Sequence, residues 1–97
     1  MTEANKDQAL ELLKLDLGIS TTAYDNSLKG HIERALAAIE REGITLGDGD
    51  IDEQMLVVQY AAYMWRSRKG EDTGMPRSLR WDLNNRFIKE NAGETEG

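Results

Sequence analysis

Residues 50–70 read DIDEQMLVVQYAAYMWRSRKG. Ile51, Met55, Val58, Ala62 and Trp65 recur at alternating intervals of four and three, the repeat of one helix face. Leu56, Val57, Ala61, Tyr63 and Met64 extend apolar surface around most of the remaining circumference. A helix that is hydrophobic nearly all round belongs at the centre of a fold, covered by other helices or by another subunit. Asp50 is placed to cap it, and Glu53 three residues later completes a capping box. It runs out in Arg66, Arg68 and Lys69, cations that suit the negative end of a helix dipole.

Three further helical patterns flank this one. The first spans about Asn5 to Leu17, with Leu10, Leu13 and Leu17 on one face, Leu12 widening it, Asn5 as cap and Gly18 as the left-handed stop. Ile19 is placed to fold back on the last turn. The second follows Thr22, whose spacing to Asp25 resembles a capping box. Tyr24, Leu28, Ile32, Leu36 with Ala35, and Ile39 mark its face, and Gly43 ends it. Gly30 inside it costs about 1 kcal/mol relative to alanine and suggests close approach by a neighbouring helix. The last follows Pro76, which suits a first helical position. Leu79, Leu83 and Phe87, with Ile88 extending the face, carry it to about Glu90. No strand pattern and no repeat interrupts these four. The expected fold is therefore all-α, a small bundle of about four helices without a sheet, in a single domain over residues 1–97. Residues 1–8 and 91–97 read as flexible tails.

A chain of 97 residues buries only a little over roughly 60 % of its unfolded surface, so its core is small. It has no cysteine, so neither disulfides nor thiolate metal sites reinforce it. No apolar run approaches the ~20 residues of a membrane span. The opening MTEANKDQ lacks the apolar region of a signal peptide, so the expectation is a soluble protein of the cytoplasm, or one assembled there. Charge is uneven: residues 1–65 carry a net of −7 and residues 66–89 a net of +4, within a whole-chain −6. Separated acidic and basic regions allow head-to-tail attraction between copies, and chance clustering on a solvated surface gives the same numbers.

Little in the sequence supports catalysis. GDGDIDE at 47–53 places Asp48, Asp50 and Asp52 at the first three ligand positions of a calcium loop. Glu53 then stands where a glycine is needed, and Gln59 where a bidentate glutamate is needed. Capping of the next helix explains these residues better. His31 is the one histidine and cannot build a metal cluster alone, and no phosphate loop or nucleophile motif is present. The expectation is a non-enzyme with no cofactor and no metal.

GMPRSLRWDLNNRF at 74–87 is the richest remaining segment. Arg66, Arg68, Lys69, Arg77, Arg80, Arg86 and Lys89 gather near the junction of the last two helices, interleaved with Trp65 and Trp81. Such a cluster can hold phosphates, although the acidic whole opposes approach to a polyanion. Trp65 completes the stripe of the central helix. Trp81 lies two residues from both Leu79 and Leu83 and so projects to another side, as an interface anchor or against the central helix.

KLDLGISTTAYDNSL (14–28), AAIEREGITL (37–46), VVQYAAYMWRSRKG (57–70) and GMPRSLRWDLNNRF (74–87) together resemble the head–tail connector proteins of long-tailed phages and prophages. The resemblance covers roughly residues 9–90, and GMPRSLRWDLNNR after the YAAYMWRSRK helix is its most specific part. It implies a small helical portal adaptor without catalysis, used in head completion and sometimes labelled a DNA-packaging protein. Such subunits form a homo-oligomeric ring on the portal vertex, dodecameric by resemblance. The ring extends the DNA channel and offers a docking surface to further connector or tail proteins. DNA passes without specific binding, no membrane is involved, and the site of action is the virion head–tail junction after assembly in the bacterial cytoplasm. On that reading Arg66, Arg68, Lys69, Arg77, Arg80, Trp81 and Arg86 are subunit or portal contacts, with acidic partners on Glu33, Glu40, Glu42 and the 48–53 turn. Arg80→Glu is then expected to weaken assembly while leaving the fold intact. The alternative is a small helical nucleic-acid-binding or regulatory protein that uses the basic 66–89 cluster.

Overall fold

The computed structural model describes residues 1–47, 49–67 and 74–95. Four helices follow one another: α1 (Glu3–Leu17), α2 (Asp25–Arg41), α3 (Ile51–Ser67) and α4 (Arg77–Thr95). No strand occurs among the described residues, so the fold is an all-α bundle. Helix α3 packs against each of the other three, and α4 meets the bundle chiefly through α3. The core joins Leu10 and Leu13 of α1, Leu28, Ile32, Ala35 and Ile39 of α2, Val57, Val58, Ala61 and Ala62 of α3, and Leu79 and Leu83 of α4.

The first eight residues belong to this body rather than to a tail. Thr2 Oγ1 accepts the Asn5 N–H at 3.2 Å, so α1 starts two residues before Asn5. Met1 packs on the core cluster. At the other end of α1, Gly18 adopts φ 71° and the Ile19 N–H returns to the Lys14 carbonyl at 2.9 Å, closing the helix as its left-handed glycine requires. At the far end of the chain, α4 continues to Thr95, beyond the expected stop near Glu90.

Helix α2 departs from its expected start. Its N-cap is Tyr24, which makes no capping hydrogen bond, and the Asp25 N–H goes to the Thr22 carbonyl at 3.1 Å. The Asp25 carboxylate instead lies 2.9 Å from Lys14 Nζ, whose side chain is only 10 % exposed. A nearly buried ammonium needs an anion more than a helix start needs a side-chain cap, so the capping box does not form. The contact is an ion pair without the alignment of a hydrogen bond. Gly30 faces open space, with nothing near its α-carbon for a side chain to meet, so no neighbouring helix uses it. Gly43 does require a glycine. Its φ is 89°, and a Cβ there would lie 2.8 Å from the Phe87 ring.

Helix α3 is central as expected but rotated from the expected stripe. Gln54, Val57, Val58, Ala61 and Ala62 are buried, whereas Ile51 is 58 % and Met55 40 % exposed. An all-round apolar helix does not fix its own orientation by periodicity; the small and β-branched side is the one its neighbours approach. The capping box at its start does form: Asp50 Oδ1 accepts the Glu53 N–H at 2.9 Å, and Glu53 Oε1 accepts the Asp50 N–H at 3.3 Å. In α4, Leu79 and Leu83 are buried, Phe87 is half-exposed, and Ile88 is 61 % exposed, off the face it was expected to extend.

Candidate interaction surface on the fourth helix

Helix α4 is held to the segment that joins α2 to α3. Arg80 Nη1 meets Glu42 Oε1 at 2.6 Å. The Glu90 carboxylate accepts the Thr45 N–H at 3.0 and 3.2 Å. Arg86 Nη2 lies 3.1 Å from Glu53 Oε2 and its Nε 4.0 Å from Glu90 Oε1. The Phe87 ring lies over Gly43. With Leu79 and Leu83 buried, this fixes one side of the helix and leaves the other outward.

The outward side carries Arg77, Trp81, Asn84 and Ile88, spaced as i, i+4, i+7 and i+11, the repeat of one helical stripe. All four are exposed, Trp81 at 66 %. At about 100° per residue, Trp81 and Leu83 point to nearly opposite sides of the helix. Arg77 has no ion-pair partner among the described residues. Beside this stripe an open groove of about 720 Å³ separates α4 from the N-terminal half of α3, lined by Met55, Leu56 and Gln59 of α3 and by Asp82, Asn85 and Lys89 of α4 among others.

The expected site residues divide accordingly. Arg80, Arg86 and Arg66 meet carboxylates of their own chain, Arg66 reaching Asp16 Oδ2 at 3.2 Å. Glu42 receives Arg80, and Glu33 receives Lys6 at 2.9 Å. Lys6 in turn is pushed above its ordinary pKa, first by its hydrogen bond to Glu33. The Arg80 pKa is raised chiefly by its hydrogen bond to Glu42. Arg77, Trp81 and Glu40 stand outward. Arg68 and Lys69 lie outside the described residues, as does Asp48 of the 48–53 turn. Arg80→Glu would therefore remove a contact within the chain as well as change the surface.

Ile88 and the Met55 groove were missed in the sequence. The spacing of seven from Trp81 to Ile88 was the available signal, masked because Ile88 adjoins Phe87 and reads as core. Trp65 is partly buried, edge-on to Tyr24 and His31 at 5.6 and 5.5 Å between ring centroids. His31 Nδ1 sits 2.8 Å from the Ser27 carbonyl oxygen. Among the described residues no group of metal-ligating side chains is gathered, and no helix is long and apolar enough to cross a membrane.

The chain matches no protein-family model, no curated protein and no solved structure.

Proposed function

We propose that the protein is a structural head–tail connector subunit, a portal adaptor acting by docking rather than by catalysis. The observation that carries this reading is the outward stripe of α4. Trp81, more than half exposed, stands with Ile88 and Arg77 on a helix whose opposite side is anchored to the body. A large aromatic beside an arginine, unburied by its own chain, is the composition of an interface anchor. The sequence segments resembling connectors end in this same helix, and the four-helix order agrees with a small helical adaptor.

The nucleic-acid alternative draws less support. Arg66, Arg80 and Arg86 each lie against a carboxylate of the same chain, which lowers their availability to phosphates. Co-sedimentation of the full chain with portal rings tests the proposal. Binding to portal, with weak and strongly salt-dependent retention of duplex DNA, is the expected result. Tight DNA binding without portal binding would overturn it.

A further inference from the structure

The outward stripe and the α3–α4 groove are two uncovered surfaces of opposite character on one chain. The stripe presents Trp81 and Ile88 with the cation Arg77. The groove presents the thioether of Met55, 40 % exposed, together with the carboxylates of Asp52 and Asp82. Lys89 lines the groove too, but the carboxylates of Asp50, Asp52, Asp82 and Glu90 outnumber it, and Arg86 is already held by Glu53, so the balance favours an incoming cation.

The groove is long enough for the stripe. Trp81 and Ile88 are seven residues apart, about 10 Å along a helix, and the groove walls run from Asp50 to Gln59 and from Asp82 to Glu90. The stripe and the groove occupy different sides of α4, so one copy cannot satisfy its own groove. Two copies related by a twofold axis are not required either, since the surfaces are unlike.

We infer that the Trp81–Ile88 stripe of one copy seats in the α3–α4 groove of a second copy. Ile88 or Trp81 lies on Met55, and Arg77 approaches the acidic rim. Unless a twofold axis makes the contact reciprocal, it is head-to-tail and leaves each pair with one free stripe and one free groove for further copies. A single helix face in a two-turn groove buries less than the roughly 1,000 Å² of a stable interface. Association is therefore weak in dilute solution and strengthens when several contacts close together or on a template. This deepens the connector reading and rests on it for its setting, while the contact itself is testable without portal.

The chain has no cysteine, which allows a direct test with single-cysteine variants of the full chain. Ile88→Cys and Met55→Cys, both at exposed positions, are mixed at high concentration and oxidised. A heterotypic disulfide several-fold in excess of either homotypic one is expected. Adding Arg77→Glu to the Ile88→Cys copy should lower it several-fold. The pair W81C and Q59C repeats the test at a second point of the groove.

Predominant I88C homodimers would mean that stripes pack on each other, and would overturn the inference. So would the absence of cross-links in variants that keep wild-type thermal unfolding. Protection of M55C from maleimide by portal alone, without cross-links between copies, would assign the groove to portal and overturn it too. A heterotypic cross-link in a protein that fails to co-sediment with portal would uphold this contact and reject the connector function.

Discussion

Arg86 of α4 reaches Glu53 of α3, Nη2 to Oε2, at 3.1 Å, and ties the last helix to the start of the central one. The Glu53 carboxylate, 5 % exposed, also accepts the backbone N–H groups of Gly47 at 2.6 Å and of Gly49 and Asp50 at 3.3 Å. One side chain thus closes the loop before α3, caps α3 and holds α4. Glu53→Ala leaves these backbone donors without their acceptor and the guanidinium with only its 4.0 Å contact to Glu90, at an expected cost of about 2–4 kcal/mol. Arg86→Ala should cost nearer 1 kcal/mol, since Arg86 is partly exposed and Glu53 keeps its backbone donors. Urea unfolding of both single variants and the double variant checks this, and the double should lose less than the sum.

Phe87 and Gly43 form a second link between α4 and the α2–α3 segment. A Cβ at position 43 would meet the ring at 2.8 Å on a backbone of φ 89°, so Gly43→Ala combines backbone strain with displacement of Phe87. A loss of about 1–2 kcal/mol is expected. In a Phe87→Ala background the steric part disappears and the alanine should cost less. Equal costs in the two backgrounds, by thermal or urea unfolding, would show that the ring does not oppose the substitution.

The sequence made the helix count, the start of α3 and the end of α1 legible because those depend on local chemistry. Asp50 with Glu53, and Gly18 with Ile19, act within a few residues of themselves, and both form as read. Orientation was less legible. Met55 shares a helical repeat with Val58 and Ala62, yet it is the latter pair that neighbours cover. Local spacing places Asp25 in a cap, because Lys14, its partner from the preceding helix, lies outside that spacing. In the sequence the arginines of the α3–α4 region form one cluster. Their division into internal contacts and an outward remainder depends on where Asp16, Glu42 and Glu53 arrive in space.

Alkaline pH should weaken the fold. The Tyr60 hydroxyl is pushed above its ordinary pKa by burial first and then by the nearby Glu42 carboxylate, and Lys6 is raised by Glu33. Both groups hold their protons more tightly folded than unfolded. Their contribution is therefore complete at neutral pH and is lost as pH rises above about 10. Urea midpoints should fall between neutral pH and pH 11 or so. Tyr60→Phe and Lys6→Gln should each flatten that fall. A profile unchanged in both variants would assign the alkaline loss to other groups.

Trp81 and Arg80 are adjacent in sequence but should respond differently to substitution. Trp81 is 66 % exposed on the outward stripe, and Trp81→Ala should alter stability by no more than about 0.5 kcal/mol. Arg80 meets Glu42 at 2.6 Å, and Arg80→Glu would set two carboxylates together. The pair is partly exposed to solvent, so the expected loss is about 1 kcal/mol rather than the cost of a buried repulsion. Under the connector reading, W81A should weaken assembly on the portal, and with it co-sedimentation, while unfolding like the wild type. R80E should unfold earlier, and Glu42→Arg in the same chain should restore its stability by re-forming the pair with reversed signs. Portal binding retained in W81A would remove the outward stripe from the docking surface. Wild-type stability in R80E would mean that the Arg80–Glu42 contact does not hold α4 in solution.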